Sequence, residues 1–145
     1  MTARTLSFFV LLPLYLFGEP QIKEVTGPSS GLTSPFGVAF DDIGNAYIAE
    51  YEGGRILLLD KSRKVSVLSG AARKGYAGDG LPAVQGLFNR MHNLAWASDN
   101  LLYISDTHNN LVRKINGKNN RLSTLAGVPN KKGFSGDGSP ADKAK

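Results

Sequence analysis

The stretch Phe36-Gly37-Val38-Ala39-Phe40, followed after a turn by Asn45-Ala46-Tyr47-Ile48-Ala49-Glu50, decides the fold because it is written twice. It returns as His92-Asn93-Leu94-Ala95-Trp96 and Leu101-Leu102-Tyr103-Ile104-Ser105-Asp106, displaced by 56 residues. Further along, Val65-Ser66-Val67-Leu68-Ser69-Gly70 matches Leu122-Ser123-Thr124-Leu125-Ala126-Gly127 at an offset of 57. Gly75-Tyr76-Ala77-Gly78-Asp79-Gly80-Leu81-Pro82-Ala83 then matches Gly133-Phe134-Ser135-Gly136-Asp137-Gly138-Ser139-Pro140-Ala141 at 58. Matches in a fixed order at a nearly fixed offset mark a repeat architecture, in which each unit buries its apolar faces against its neighbours.

Each unit reads as four short strands. In the first they span 37–40, 45–50, 55–59 and 65–68; in the second, 93–96, 101–105, 111–115 and 121–125. The turns between them carry Asp41-Asp42-Ile43-Gly44, Glu52-Gly53-Gly54 and Asp60-Lys61-Ser62-Arg63-Lys64. Asp and Gly there supply side-chain caps and unusual backbone angles. Asn93 stands where the first unit has Gly37, a mild change if that position needs a left-handed backbone, which Asn tolerates. Four short strands per unit suit the radial blades of a β-propeller. Blades are covered on both faces, which accounts for the unbroken apolar run Ile56-Leu57-Leu58-Leu59. The fold class expected is therefore all-β, a partial β-propeller of two four-stranded blades.

After each fourth strand comes a longer connection with the pattern Gly-aromatic-x-Gly-Asp-Gly-x-Pro-Ala. Asp79 and Asp137 are read as structural turn residues whose carboxylates accept backbone N–H bonds. A calcium loop would need more oxygen ligands at regular spacing. A phosphate loop would need Gly-Lys-Ser/Thr and a βαβ frame, and neither is present.

Composition narrows the function classes. The 145 residues include 17 Gly, 7 Pro and no Cys, which excludes a disulfide framework and thiol chemistry but not export. The formal charge of +5 comes from dispersed basic residues, as at Lys61, Arg63, Lys64, Arg73, Lys74, Arg113, Lys114, Lys131 and Lys132. A solvated basic surface is the preferred reading; no nucleic-acid partner is expected, because that surface would need these residues on one face. Tyr47, Trp96 and Tyr103 lie inside strand patterns and read as core.

At the N-terminus, Arg4 precedes the apolar run from Leu6 to Phe17, ending at the small Gly18. Residues 1–18 are expected to be a secretory signal peptide, with an uncleaved anchor or an element of the fold as alternatives. Its removal leaves no stable membrane span, so the location expected is extracytoplasmic, secreted or periplasmic. Residues 19–33 hold Gln21-Ile22-Lys23-Glu24-Val25-Thr26-Gly27, which reads as a leading strand completing the last blade of a ring. The first repeat with its connection then covers 34–88 and the second 89–141, leaving 142–145 as the truncated start of a further repeat. Since closed propellers have about 4–8 blades, two blades need further blades, or self-association, to cover their faces. A stable two-blade monomer is the least favoured option.

Residues 34–141 resemble the NHL-repeat β-propellers, in the long-repeat variety with Gly-Phe-x-Gly-Asp-Gly-x-Pro-Ala connections. The family's Pro-x-Gly-Val-Ala and Gly-Asn-x-Tyr-Ile-Ala-Asp are similar to Pro35-Phe36-Gly37-Val38-Ala39 and Gly44-Asn45-Ala46-Tyr47-Ile48-Ala49-Glu50. Its Asp-Thr-x-Asn-x-x-Ile-Arg-Lys resembles Asp106-Thr107-His108-Asn109-Asn110-Leu111-Val112-Arg113-Lys114. The chain departs from the pattern at Met91, Asn93, Glu50 and Gly53-Gly54. The resemblance implies a six-bladed parent that serves as a ligand-binding or interaction module, often exported in bacteria.

The function expected is a non-catalytic binding or protein-interaction scaffold, with a protein, glycan or small-molecule ligand on one rim. Glu50, Tyr51 and Arg55 in the first unit are matched with Asp106, Thr107, His108 and Arg113 in the second as candidate ligand-binding residues. Each has a plainer reading: Glu50 and Asp106 as turn anchors, Arg113 as an ion pair between strands or blades, His108 as a solvated turn residue. An enzyme is not expected, and neither a cofactor nor a metal. The chain has only His92 and His108, and a central-channel hydrolase or lyase metal would need ligands from several blades. Such an enzyme in a full-length parent, or a non-functional truncated gene product, are the alternatives.

Overall fold

Eight strands form two sheets in a computed structural model that describes residues 31–145. The expected signal segment, and all of the leading strand expected at 21–27, lie outside the described residues. Thr33–Lys145 forms one unit. The first sheet is the meander β1 (Pro35–Phe40), β2 (Ala46–Glu50), β3 (Ile56–Leu59) and β4 (Val65–Ser69). The second repeats it with β5 (Leu94–Ala97), β6 (Leu101–Asp106), β7 (Leu111–Asn116) and β8 (Arg121–Ala126). Every neighbouring pair is antiparallel. This is an all-β structure of two four-stranded antiparallel sheets, consistent with partial propeller blades.

The turns form where the sequence supplies carboxylates to hold them. Asp41 Oδ1 accepts the N–H groups of Ile43 (3.1 Å) and Asn45 (2.8 Å), while Gly44 takes φ +89°. Asp60 Oδ1 does the same for Ser62 (2.8 Å) and Lys64 (3.0 Å). In the second sheet Asn takes over: Asn116 Oδ1 accepts Lys118 N–H at 2.9 Å, and Asn100 sits left-handed at φ 64°.

The two sheets stack face to face. Ala39, Tyr47, Ala49 and Ile56 of the first share one core with Leu94, Leu102, Ile104, Ile115 and Leu122 of the second. The Tyr47 and Trp96 rings lie parallel, centroids 5.0 Å apart at 8°. Phe88 and Met91, arriving on the connection, are fully buried in the same core, and burial of each side chain is worth about 2 kcal/mol. Met91 thus puts a flexible gap-filler at the repeat position that Pro35 holds at the start of β1.

Gly37 and Asn93 differ for a reason other than left-handed backbone, since neither has positive φ. A Cβ on Gly37 would lie 2.8 Å from both Asn93 Cα and His92 O. Glycine is required there because the second sheet's backbone passes against it. Asn93 instead turns its Oδ1 to the N–H of Leu94 at 2.9 Å.

The connection after β4 ties the sheets together from outside. It contains a short 3-10 turn, Ala83–Gln85, and runs along the free edge of β8. Gly80 N–H donates to Leu122 O (2.8 Å), Ala83 N–H to Asn120 O (2.8 Å) and Leu122 N–H to Leu81 O (3.1 Å). No helix among the described residues is long and apolar enough to cross a membrane.

Candidate functional site

Register decides which residues of the two sheets correspond. Ala49 pairs with Ile56 as Ser105 pairs with Val112, so Arg55 matches Leu111 and Arg113 matches Leu57. The sequence pairing of Arg55 with Arg113 is therefore corrected. Arg55 follows Glu50 by five positions, as Leu111 follows Asp106, and the drift in offset enters only after the third strand.

Glu50, Asp106 and Arg113 are buried and hold the architecture. Glu50 Oε1 accepts Thr33 N–H at 2.6 Å, and its carboxylate takes Arg55 Nε (2.5 Å) and Nη2 (2.9 Å). Asp106 repeats the first of these bonds, accepting Asn89 N–H at 2.7 Å and Asn109 Nδ2 at 2.8 Å. Each carboxylate thereby fixes the segment that leads into its own sheet. Burial pushes the Asp106 carboxyl above its ordinary range, against the pull of the Asn109 and Asn89 hydrogen bonds and of the Arg113 charge.

Arg113 reaches out of its own sheet. Nη1 donates to Leu87 O and Nη2 to Ala77 O, both at 2.8 Å, and Nη2 meets Asp79 Oδ1 at 2.7 Å. The guanidinium carbon lies 5.1 Å from the Tyr76 ring centroid and 5.0 Å from that of Phe88. A planar fork with aromatic neighbours is what guanidinium suits and ammonium does not. Tyr76 OH also donates to Asp79, at 3.0 Å. Asp137, in the second connection, is exposed.

Tyr51 and His108 come together on the surface, where β2 and β6 end. Tyr51 is flanked by Phe36 at 5.5 Å, by His92 at 5.2 Å and by His108 at 6.4 Å between ring centroids. Phe36 meets His92 edge-on at 5.0 Å and remains 57% exposed. Arg90 lies over Tyr51, its guanidinium carbon 5.5 Å from the centroid, and pairs with Glu52 at 3.3 Å. Glu52 also pairs with Lys74. That hydrogen bond holds the Glu52 carboxyl below its ordinary range, with Arg90 and His108 adding to it against slight desolvation. His92 Nδ1 and Thr107 Oγ1 are hydrogen-bonded at 2.7 Å.

Two blades thus present an aromatic patch bordered by fixed charges. Sequence reasoning found Tyr51 and His108 and missed Phe36, His92, Arg90 and Glu52. The usable signal was that Phe36 and His92 occupy the same repeat position, just ahead of the buried residues of their strands. Among the described residues, no three His, Cys, Asp or Glu side chains cluster as a metal ion requires.

No protein-family model matches the chain, and no curated protein does. Solved structures do match. A structural genomics protein of unknown function from Bacteroides thetaiotaomicron matches with TM-score 0.73 at 15% identity, over 86% of this chain and 32% of that one. An auxiliary nutrient binding protein from the same organism matches with TM-score 0.53 at 15% identity, over 74% and 38%. A catalytically inactive virginiamycin B lyase from Staphylococcus aureus, with quinupristin, matches with TM-score 0.52 at 21% identity, over 73% and 31%. The chain spans about a third of the length of these structures. At such identities the likeness is one of fold: a partial, two-blade, propeller-like all-β structure. It also corrects the exclusion of an enzyme drawn from the sequence, because a lyase is built on this fold. A scarcity of catalytic groupings in two blades does not exclude chemistry from the architecture.

Proposed function

We propose that the chain is part of a ligand-binding β-propeller of the NHL-repeat type, built in the parent from six blades, and that the patch around Tyr51 receives the ligand. The observation that carries this reading is the convergence of Phe36, Tyr51, His92 and His108 from two successive blades on one exposed surface. Exposed rings take up a flat apolar ligand face, and Arg90 and the imidazoles supply hydrogen bonds at its border. A glycan, or a protein loop with an aromatic or acidic side chain, has that chemistry. The Arg4–Gly18 segment supports export, which puts such ligands within reach.

The test is a screen of glycan and peptide arrays with the purified chain, followed by mass spectrometry of each hit after incubation. Ligands that bind the wild type and are lost in Phe36→Ala and Tyr51→Ala support the reading. Hits unaffected by both substitutions contradict it. A mass change in a bound hit adds turnover to binding and assigns the module to an enzyme.

A further inference from the structure

We propose that residues 133–145 form a socket for an arginine side chain carried by a further repeat unit. The occupied form of this socket is present in the same chain. Around Arg113 the first connection supplies the carbonyls of Ala77 and Leu87, the Asp79 carboxylate and the Tyr76 ring.

The second connection repeats the internal turn bonds of the first. Leu87 N–H donates to Ala77 O at 3.2 Å, and Lys145 N–H to Ser135 O at 2.9 Å. Leu81 N–H donates to Gly78 O at 3.0 Å, and Ser139 N–H to Gly136 O at 2.9 Å. Gly78 and Gly136 have φ +96° and +105°; Gly80 and Gly138 both have +78°. Both connections close on a 3-10 turn, Ala83–Gln85 and Ala141–Lys143, capped by Pro82 and Pro140 in the same conformation. The equivalent acceptors are thus the Ser135 carbonyl, the Lys145 carbonyl, which already takes the Ser135 N–H at 3.1 Å, and the Asp137 carboxylate, beside a Phe134 ring that is 90% exposed. No hydrogen bond or ion pair joins the Asp137 side chain to another described residue.

Two more features place a whole unit, not a loose ligand, at this site. Ala39, Tyr47, Ala49 and Ile56, which the first sheet buries against the second, correspond to Ala95, Tyr103, Ser105 and Val112. Those four line a shallow open depression on the outer face of the second sheet. The Gly80 and Ala83 N–H groups and the Leu81 carbonyl pair with β8, whereas the equivalent Gly138, Ala141 and Ser139 groups meet no strand among the described residues.

The occupant is specified by these positions. Two carbonyls and a carboxylate converging on one side chain select guanidinium over ammonium. A second copy of this chain does not supply it: its first sheet has Leu57 at the matching place, and its Arg113 is already engaged. The incoming unit therefore carries arginine as the third residue of its third strand. Gly86, where a Cβ would lie 2.7 Å from Leu122 Cδ2, is replaced by Ala144 in the second connection. The residue entering at the place of Leu122 is accordingly smaller than leucine. Asn93, with a side chain where Gly37 has none, requires the unit to stand off at that corner.

The test is an NMR titration of the full 145-residue chain with N-acetyl-arginine methylamide, with the lysine analogue as control. Amide shifts confined to 133–145 are expected, with affinity about tenfold higher for arginine than for lysine and about tenfold lower in Asp137→Asn. Phe134→Ala, which removes only an exposed ring, is expected to weaken binding without unfolding the loop. Shifts absent from this loop, or equal for the two probes, or retained in Asp137→Asn would overturn the proposal. A concentration-dependent dimer abolished by Asp137→Asn would overturn the choice of occupant in favour of a second copy.

Discussion

Arg113 Nη2 stands 2.7 Å from Asp79 Oδ1, and this pair joins the third strand of the second sheet to the connection that leads into that sheet. The arginine is fully buried, while the Asp79 side chain is 35% exposed. The two partners are therefore unequal. Arg113→Met leaves the Ala77 and Leu87 carbonyls and the buried Asp106 without their cation, and is expected to cost about 3 kcal/mol or more. Asp79→Asn keeps a hydrogen-bond acceptor in place and is expected to cost about 1 kcal/mol. Urea denaturation of both variants checks the asymmetry.

The same pair sets part of the acid stability. Partial burial works to raise the Asp79 carboxyl, but its hydrogen bonds, including that from Arg113, win and hold it below the ordinary 3.8. A depressed carboxyl contributes stability above its unfolded value that is lost as pH falls through the lower folded value. Asp106 has the opposite sign: burial raises it, so it lowers stability as pH climbs past 3.8. Asp79→Asn is thus expected to flatten the stability decline below pH 3.8, read as urea midpoints along a pH series.

At Gly37 the first sheet meets the backbone that leads into the second. A Cβ at this position would meet Asn93 Cα and His92 O at 2.8 Å, and neither is a flexible side-chain end. Gly37→Ala must separate the sheets at that corner and is expected to cost about 2 kcal/mol. The Tyr47–Trp96 stack should loosen with it, visible as a change in the near-ultraviolet circular dichroism of the variant.

Much of this fold was legible in the residues. Eight strands and their turns followed from the repeat and from Asp and Gly placement, because turn chemistry and apolar patterning are local. The alignment of Arg55 with Arg113 failed where the strand register, a long-range property, was needed. The role of Gly37 was misread for the same reason: its constraint comes from residues 55 and more positions away, not from its own dihedrals. Four of the six patch residues, Phe36, His92, Arg90 and Glu52, were missed because strand-end and turn positions carry no local signal of what they meet. Only packing of the second unit against the first brings Arg90 over Tyr51.

Tyr47 offers a spectroscopic check at high pH. Burial, reinforced by the Asp41 charge and the hydrogen bond to Asp41 Oδ2 at 3.1 Å, pushes its phenol up to about 12. A raised phenol contributes stability that is fully present below the ordinary 10.0 and is lost as pH rises towards about 12. One tyrosine is therefore expected to ionise last in an absorbance titration, and to move down in Asp41→Asn.

The stacking of the two repeats as consecutive blades is tested most directly by nuclear Overhauser contacts between the Tyr47 and Trp96 rings. With centroids 5.0 Å apart and planes at 8°, strong ring-to-ring cross-peaks and upfield-shifted Trp96 protons are expected. Absent cross-peaks, with Trp96 protons at random-coil positions in a chain that retains its strand signals, would contradict the stacked arrangement and the surface patch that depends on it.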